Sequence, residues 1–224
     1  MELHEQRFTA TRRTGEVTAL TISPTEAKAV YVFAHGAGAG MRHPFMDAVA
    51  RGLAARHIAT FRYQFPYTEG GKRRPDPQPV LLATVRAAQE AAKLAFPGLP
   101  VFAGGKSMGG RMTSLAAAEG GLDDVRGLVF FGFPLHAAGR RSTERADHLS
   151  GFDLPMLFLQ GTRDSLADLA LLEPVCAGLG ARATLHVIPD ADHGFHVPKR
   201  SGLTDAEVLD ALAAAAHDWI RQHA

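Results

Sequence analysis

The feature that most constrains the fold is residues 101–112, VFAGGKSMGGRM, an apolar run that leads into an alanine-rich segment. The apolar run is typical of a buried strand, and residues 108–118 have the composition of a helix. We therefore predict a strand that turns through Gly104 and Gly105 directly into a helix. A turn this abrupt holds the residues within it in strained backbone geometry.

The turn contains the pattern G-x-S-x-G, formed by Gly105, Ser107 and Gly109. Glycine two residues before and two residues after the serine removes side chains that would collide with neighbouring backbone. The serine hydroxyl can then project from the turn, in front of the N-terminus of the following helix. The backbone N–H of Met108 can stabilise the negative charge that develops on a substrate carbonyl oxygen. The pattern predicts that Ser107 is a nucleophile.

Two binding motifs with similar residues do not fit. Gly105, Lys106 and Ser107 match the end of a Walker A loop, which needs another glycine five residues before Gly105. Pro100 stands there instead, and the residues between belong to the predicted strand. The dinucleotide pattern G-x-G-x-x-G also fails in the glycine-rich segment nearer the N-terminus. A glycine-rich turn without chemistry is the alternative that the five-residue pattern leaves open.

The composition is that of an ordinary globular chain. Its 224 residues suffice for one well-filled core, so we expect a single α/β domain over residues 1–224. A formal charge of +1 provides no bulk attraction to nucleic acid or to a membrane surface. The lone Cys176 excludes an internal disulfide framework and is expected in the core. Because the sequence has no apolar leader and no long apolar run, we expect a cytoplasmic protein. The sequence does not indicate whether the protein is a monomer or an oligomer.

Apolar runs alternate with amphipathic segments along the chain. The predicted strands cover residues 8–11, 17–22, 29–34, 58–63, 125–131, 156–160 and 183–188, besides the strand that begins at residue 101. The predicted helices cover residues 44–56, 80–95, 108–118, 166–179 and 205–222. This alternation predicts a mainly parallel twisted sheet of about 7–8 strands, with helices on both faces and a hairpin at one edge. Ligands of such sheets bind beyond the carboxyl ends of the strands.

Partners for the serine are expected in the loops after later strands. Serine is a weak nucleophile at neutral pH and needs a base, which in turn needs a group to orient it. Asp164 follows the strand predicted at 156–160, and His193 follows the strand predicted at 183–188. We therefore predict Ser107 as nucleophile, His193 as base and Asp164 as the acid that orients it.

Each partner has an alternative. Asp164 can instead cap the helix predicted at 166–179, which is a common role for aspartate. Asp168 is the other candidate acid, but inside that helix it is less free to reach a histidine. His196 is the other candidate base and lies further into its loop than His193.

The second oxyanion donor is expected in residues 35–40, HGAGAG, directly after the strand predicted at 29–34. We predict the backbone N–H of Ala37 as this donor. Gly36 and Gly38 allow the backbone to approach a bound substrate closely. We expect His35 to make a structural hydrogen bond rather than to take part in catalysis.

Further substrate contacts are expected from two other loops. Phe133 follows the strand predicted at 125–131, and we predict that it binds substrate. Lys72, Arg73 and Arg74 lie in a proline-rich loop on the same side of the sheet. They can attract an anionic acyl substrate or an acidic partner, although short charge runs are more often solvated surface.

Three segments carry a resemblance to a known family: HGAGAGM from His35, GGKSMGGR from Gly104 and QGTRD from Gln160. Together they resemble the α/β-hydrolase superfamily and its dienelactone-hydrolase-like branch. Within that branch they resemble small bacterial hydrolases related to the testis-expressed and histone-acetyltransferase-complex hydrolase-like proteins of animals. The resemblance implies an α/β-hydrolase fold. It also implies a serine hydrolase that cleaves a small-molecule carboxylic ester or similar acyl bond without a metal or cofactor.

The chain departs from the family pattern in two places. Dienelactone hydrolases have cysteine at the position of the nucleophile, where this chain has Ser107, so the resemblance does not imply that this chain shares their substrate. Residues 133–154, where family members often insert a cap domain, are too few for a large one, and we expect an open site. The alternative function is that of a catalytically silent hydrolase-like module that binds a protein partner.

Overall fold

The computed structural model describes residues 2–224, which form an eight-stranded sheet flanked by helices. The strands are β1 (Leu3–Thr11), β2 (Gly15–Ile22), β3 (Ala29–Ala34), β4 (Ile58–Tyr63), β5 (Val101–Lys106), β6 (Val125–Phe131), β7 (Met156–Gly161) and β8 (Ala183–Ile188). The α-helices are α1 (Pro44–Ala54), α2 (Pro66–Glu69), α3 (Gln78–Ala95), α4 (Met108–Ala118), α5 (Leu169–Leu179) and α6 (Asp205–His223). Short 3-10 segments cover Glu144–Gly151, Gly180–Arg182 and Lys199–Ser201.

The sheet has the strand order β1-β2-β4-β3-β5-β6-β7-β8. The β1–β2 hairpin lies at one edge, and β2 also pairs with β4 in the antiparallel sense. All other neighbouring strands are parallel, as predicted. The carboxyl ends of β3 to β8 therefore lie along one edge. Because β5 lies between β3 and β6, the segment that follows β5 lies in the middle of this edge.

Two apolar cores lie on opposite faces of the sheet. Successive side chains of a strand point to opposite faces, so Val30 and Val32 of β3 join one core and Tyr31 and Phe33 the other. Buried residues of α3, α4 and α5 complete the first core. Buried residues of α1 and α6 complete the second. The helices thus cover both faces, as predicted.

The C-terminal helix begins where its sequence signal indicates. The Thr204 hydroxyl accepts a hydrogen bond from the Glu207 backbone N–H, and the Glu207 carboxylate accepts one from the Thr204 backbone N–H. This capping box satisfies two backbone donors that helix formation would otherwise leave free.

The turn after β5 differs from the prediction. Gly104 and Gly105 lie within the strand, where they pair with β6 and β3, and the chain reverses only at Ser107. Ser107 has a φ of 51°, in the left-handed region that non-glycine residues rarely occupy. The strain therefore falls on the serine itself rather than on the glycines before it.

Helix α5 begins at Leu169, three residues later than predicted, because residues 164–168 form a turn. The Asp164 carboxylate accepts a hydrogen bond from the Leu166 backbone N–H, and the Asp168 carboxylate accepts one from the Ala170 backbone N–H. Asp168 is therefore the N-cap of α5 and not a residue inside the helix. The proline-rich stretch also contains a helix that was not predicted, α2.

The connection between β6 and β7 contains no large cap domain, as predicted. Its regular structure is the 3-10 segment Glu144–Gly151, whose residues Ala146 and Leu149 are buried in the first core. Across residues 2–224, no helix combines the length and the apolar character needed to span a membrane.

Candidate active site

Ser107 stands at the junction of β5 and α4, where close backbone packing fixes its direction. A Cβ atom at Gly105 or at Gly109 would overlap the backbone carbonyl of Ala34 on the neighbouring strand. The backbone N–H of Ser107 donates to the carbonyl oxygen of Phe131, at the end of β6, over 3.1 Å. Only glycine at both flanking positions allows this approach, which gives the G-x-S-x-G spacing a steric cause.

The structure brings the three predicted residues together although they are far apart in the chain. Nε2 of His193 lies 2.8 Å from Oγ of Ser107, and Nδ1 of His193 lies 2.7 Å from Oδ2 of Asp164. A carboxylate only accepts hydrogen bonds, so Nδ1 carries a proton and donates it to Asp164. In the neutral ring Nε2 is then free to accept the hydroxyl proton of Ser107, as a general base requires.

The Asp164 carboxylate is held by two further donors. Its side chain is only 1% exposed. Oδ2 accepts a hydrogen bond from Nε2 of Gln160 over 2.5 Å, and Oδ1 accepts one from the backbone N–H of Leu166 over 2.8 Å. Sequence reasoning missed Gln160, although an amide near the end of an otherwise apolar buried strand was a usable signal.

The two alternative residues, Asp168 and His196, have other partners than the predicted catalytic residues. Asp168 caps α5 and pairs with Arg141 over 2.8 Å, so its carboxylate is not directed at His193. Nδ1 of His196 lies 2.7 Å from Oδ2 of Asp205, at the start of α6. Both His196 and Asp205 are exposed.

The loop after β3 lies directly beside the serine. A Cβ atom at Gly36 would lie 3.6 Å from the Cβ atom of Ser107, so this backbone passes close to the hydroxyl. Nε2 of His35 accepts a hydrogen bond from the Phe65 backbone N–H over 3.2 Å, and Nδ1 donates to the Gly36 carbonyl oxygen over 2.8 Å. Burial lowers the pKa of His35 to about 4, so the ring is neutral near pH 7.

This structural role of His35 fixes the direction of the next N–H. The peptide between Gly36 and Ala37 is trans, so the Gly36 carbonyl and the Ala37 N–H point in opposite directions. Because the carbonyl faces His35, the Ala37 N–H faces away from that ring. Gly36 and Ala37 both line the cavity that contains Ser107.

The cavity in front of Ser107 has a volume of about 680 Å³ and mainly apolar walls. The rings of Phe45 and Phe195 stack with their centroids 5.7 Å apart and form part of one wall. Met46 and Leu209 extend this apolar surface. Its polar lining comes from the following side chains: His43, Lys106, Ser107, His193, His196 and Asp205.

Two predicted substrate contacts lie outside the cavity wall. Phe133 is fully buried in the first core, with its ring centroid 5.3 Å from that of Phe130 and 5.7 Å from that of Phe158. Gly132, directly before Phe133, has left-handed backbone with a φ of 69°. The ring of Phe133 therefore follows a change of chain direction at the end of β6 and lies in the core. Gly38 lies in the turn after Ala37 with a φ of 74° and is not part of the wall.

The basic residues of the proline-rich loop lie on the solvated surface, the more frequent of the two arrangements considered for them. Lys72, Arg73 and Arg74 are exposed and do not line the cavity. A lysine that does line it is Lys106, the neighbour of the serine, which sequence reasoning considered only as part of a phosphate loop. Its position inside the G-x-S-x-G pattern was the available signal.

Comparison with known sequences assigns most of the chain to one family. A family model described as an alpha/beta hydrolase domain matches residues 27–221. A protein provisionally named a phosphoribosyl transferase, found in two strains of Mycobacterium tuberculosis, is 28% identical over 205 residues. The match covers 89% of this chain but 42% of that protein, so this chain spans less than half of the relative's length.

Solved structures share the fold at low sequence identity. Dienelactone hydrolase from Anabaena variabilis superposes with a TM-score of 0.78 and 22% identity, covering 100% of this chain and 99% of that chain. A lidless α/β serine hydrolase from Xanthomonas campestris gives 0.74 and 22%, covering 98% and 95%. Est1E from Butyrivibrio proteoclasticus with bound ferulic acid gives 0.74 and 17%, covering 93% and 95%. The family model matches most of the length of this chain, and the chain therefore belongs to the α/β-hydrolase family.

Proposed function

We propose that this protein is a serine hydrolase that cleaves a carboxylic ester or a similar acyl bond through an acyl-enzyme intermediate. Ser107 is the nucleophile, His193 the general base and Asp164 the group that orients the base. The observation that carries the proposal is the continuous series of hydrogen bonds, 2.8 Å from Ser107 Oγ to His193 Nε2 and 2.7 Å from His193 Nδ1 to Asp164 Oδ2. This geometry meets the requirements for activating a serine hydroxyl.

In the first half-reaction His193 accepts the hydroxyl proton while Ser107 Oγ attacks the substrate carbonyl carbon. The imidazolium that forms is stabilised by the buried carboxylate of Asp164. His193 then gives its proton to the leaving alkoxide, and the acyl group stays on Ser107. In the second half-reaction His193 removes a proton from water, which attacks the acyl carbon. His193 then returns this proton to Oγ of Ser107 as the bond to the acyl carbon breaks and the acid leaves.

Backbone N–H groups of Met108 and Ala37 stabilise the oxyanion in this mechanism. Met108 is the first residue of α4, where helical backbone leaves N–H groups without partners. The Ala37 N–H points away from His35, because His35 holds the preceding carbonyl. Loss of one such donor typically lowers turnover by about 10²–10³-fold.

The cavity indicates what kind of substrate the site accepts. Its walls near the serine are largely apolar and include the stacked rings of Phe45 and Phe195. A volume of about 680 Å³ is in the range of small-molecule sites. We assign it to the apolar part of a small-molecule ester.

The direct test is Ser107→Ala, assayed with uncharged aryl esters of graded acyl length. Removal of the hydroxyl should lower kcat by at least about 10³-fold for every ester in the series, because no nucleophile remains. Ser150→Ala is the matched control, since Ser150 is exposed in the 3-10 segment Glu144–Gly151. Far-UV circular dichroism and thermal unfolding should show both variants folded. Full activity of Ser107→Ala would refute the assignment.

A fluorophosphonate probe separates the enzyme from a silent module that binds a protein partner. An activated serine reacts covalently with the phosphonate, so wild-type protein should be labelled at Ser107 and the Ser107→Ala variant should not. Folded wild-type protein that neither reacts with the probe nor hydrolyses any ester of the series would overturn the proposal and favour the binding module.

A further inference from the structure

Lys106 directs its side chain toward the loop that carries His193. Its Nζ atom donates a hydrogen bond to the backbone carbonyl oxygen of His193 over 2.5 Å. The same ammonium lies 5.3 Å from the ring centroid of Phe195 and 5.7 Å from that of Phe45. The residue before the nucleophile therefore contacts the backbone of the proposed base, 87 residues further along the chain.

The position of the ammonium can be described by its distance from Gly132, beside the site. A Cβ atom at Gly132 would lie 3.1 Å from Lys106 Nζ, 3.4 Å from His193 Nδ1 and 3.5 Å from Asp164 Oδ2. The cation is thus next to the Asp164–His193 pair. It has no hydrogen bond to the Ser107 hydroxyl among the contacts of residues 2–224.

This placement is unusual for lysine and needs a compensating interaction. Lysine side chains generally extend until the ammonium reaches water, because an ammonium away from water is unfavourable unless it is paired. Here the His193 carbonyl supplies a charge-assisted hydrogen bond, and the faces of Phe45 and Phe195 attract the cation. Burial lowers the pKa of Lys106 to about 8, against the opposing effect of Asp164 and Asp192. The group is therefore still mainly an ammonium at neutral pH.

The loop that carries His193 contains strained backbone, which a contact such as that from Lys106 can stabilise. Asp190 and Phe195 both occupy the left-handed region, with φ values of 58° and 64°. Non-glycine residues held there are strained and persist only where surrounding contacts determine the conformation. The contact from Lys106 lies between these two positions.

We propose that Lys106 is a positioning residue of the hydrolase, whose ammonium holds the His193 backbone and keeps the imidazole in line between Asp164 and Ser107. The inference rests on the proposed function of Ser107. The other role open to a cation in this cavity is to bind a carboxylate of the substrate. The contact with His193 favours positioning, and the two roles differ in their kinetics.

The test is Lys106→Met, assayed with an uncharged aryl ester and with a matched ester whose acyl chain ends in a carboxylate. Methionine is similar in length and packs well against aromatic rings, but it cannot hold the carbonyl. A misplaced base should lower kcat by up to about 10²-fold for both esters and leave KM nearly unchanged. Lys28→Met is the matched control, because Lys28 is exposed and directly precedes β3, at the end of the strand away from the cavity.

The pH profile provides a readout that a purely structural role would not change. The titratable groups that face the ammonium are His193, Asp164 and Asp192. As the pH rises through about 8, Lys106 loses its charge and the hydrogen bond to His193 weakens, so wild-type kcat should decline. Lys106→Met should have lower kcat and lack this alkaline decline.

Lys106→Gln keeps the test informative if the methionine variant does not fold. Its amide is an uncharged donor, so we expect an intermediate kcat and no decline above about pH 8. Unchanged kcat in a folded Lys106 variant would overturn the inference, and so would a loss confined to KM for the anionic ester. In both cases the wild type still reacts with the fluorophosphonate. An unreactive wild type would refute the proposed nucleophile instead.

Discussion

Two histidines in the loop after β8, His193 and His196, each pair with an aspartate from another part of the chain, and the two contact distances are the same. Oδ2 of Asp164 is 2.7 Å from Nδ1 of His193, and Oδ2 of Asp205 is 2.7 Å from Nδ1 of His196. Both histidines line the same cavity. The distance between carboxylate and ring therefore does not decide which pair can serve a nucleophile.

The two pairs differ in how firmly the carboxylate is held. Asp164 is 1% exposed and accepts further hydrogen bonds from Gln160 and from the Leu166 backbone. Asp205 is 47% exposed, so water competes for its oxygens, and its partner His196 is 71% exposed. A buried carboxylate with fixed donors keeps its histidine in one orientation, whereas an exposed one leaves it free to move.

They differ also at the far side of the ring. Nε2 of His193 contacts the Ser107 hydroxyl, and within residues 2–224 Nε2 of His196 has no hydroxyl partner. The hydrogen bond and charge of Asp205 raise the pKa of His196, and His196 lowers the pKa of Asp205. The exposed pair is thus stabilised as an ion pair, while the histidine of the buried pair also contacts the hydroxyl of a serine.

The largest difference between the pairs should appear on converting each aspartate to asparagine. Asp164→Asn should lower kcat by about 10³–10⁴-fold, because an amide no longer fixes the proton on Nδ1 of His193. Asp205→Asn should lower kcat/KM by less than about tenfold, mainly through KM, because Asp205 lies on the cavity wall. Steady-state kinetics with an uncharged aryl ester measures both. Equal losses of kcat would show that the buried pair has no special role.

The buried strands were the easiest part of the fold to predict. β3, β4 and β6 cover the predicted residues, because each is a largely apolar or β-branched run bounded by turn residues. β8 also covers its predicted residues, although its Thr184 and His186 are exposed. β1 begins at Leu3 rather than at residue 8, since its first residues are polar and exposed at the sheet edge and give no apolar signal. The start of α5 was predicted too early because residues 164–168 have helical composition but form a turn.

At the candidate site, chain order predicted the residues but not the directions of all side chains. Parallel strands end at one edge, so Ser107, Asp164 and His193 could be placed together from sequence. Phe133 was expected at the same edge, but it lies in the core after the left-handed Gly132. Whether a side chain after a strand faces the core or the cavity depends on the local backbone dihedrals, and composition does not specify them.

A smaller effect is expected from the support of the buried carboxylate. Gln160→Met removes one donor to Asp164 at similar side-chain length, and we expect kcat to fall by about tenfold. Stability should change little, because Oε1 of Gln160 is buried without a hydrogen-bond partner and the substitution removes it too. Steady-state kinetics and thermal unfolding measure the two quantities.

Gln89→Met is the matched control for this change. Gln89 is also a buried glutamine with an unpartnered Oε1, but it lies on α3, away from the cavity. Its substitution should leave kcat unchanged. If the two variants have the same kcat, the contact from Gln160 to Asp164 does not contribute to catalysis, and burial alone distinguishes the two pairs.

The smallest effect is expected from the exposed pair, as a pH-dependent contribution to stability. His196→Ala removes the ion pair with Asp205, whose exposure and screening limit its contribution to less than about 1 kcal/mol. Thermal unfolding of the wild type and of His196→Ala, followed from about pH 3 to 9, measures this contribution as the difference in Tm.

The sign of this difference follows from the two pKa shifts. The pKa of His196 is raised by folding, so its contribution is complete below the ordinary value of about 6.5 and is lost as the pH rises through the folded value. The pKa of Asp205 is lowered, so its contribution is complete above about 3.9 and is lost as the pH falls through the folded value. The wild type should therefore exceed His196→Ala in Tm most clearly between about pH 4 and 6.5. A difference that instead persists unchanged above about pH 8 would mean that His196 stabilises the loop as a neutral ring and not through an ion pair with Asp205.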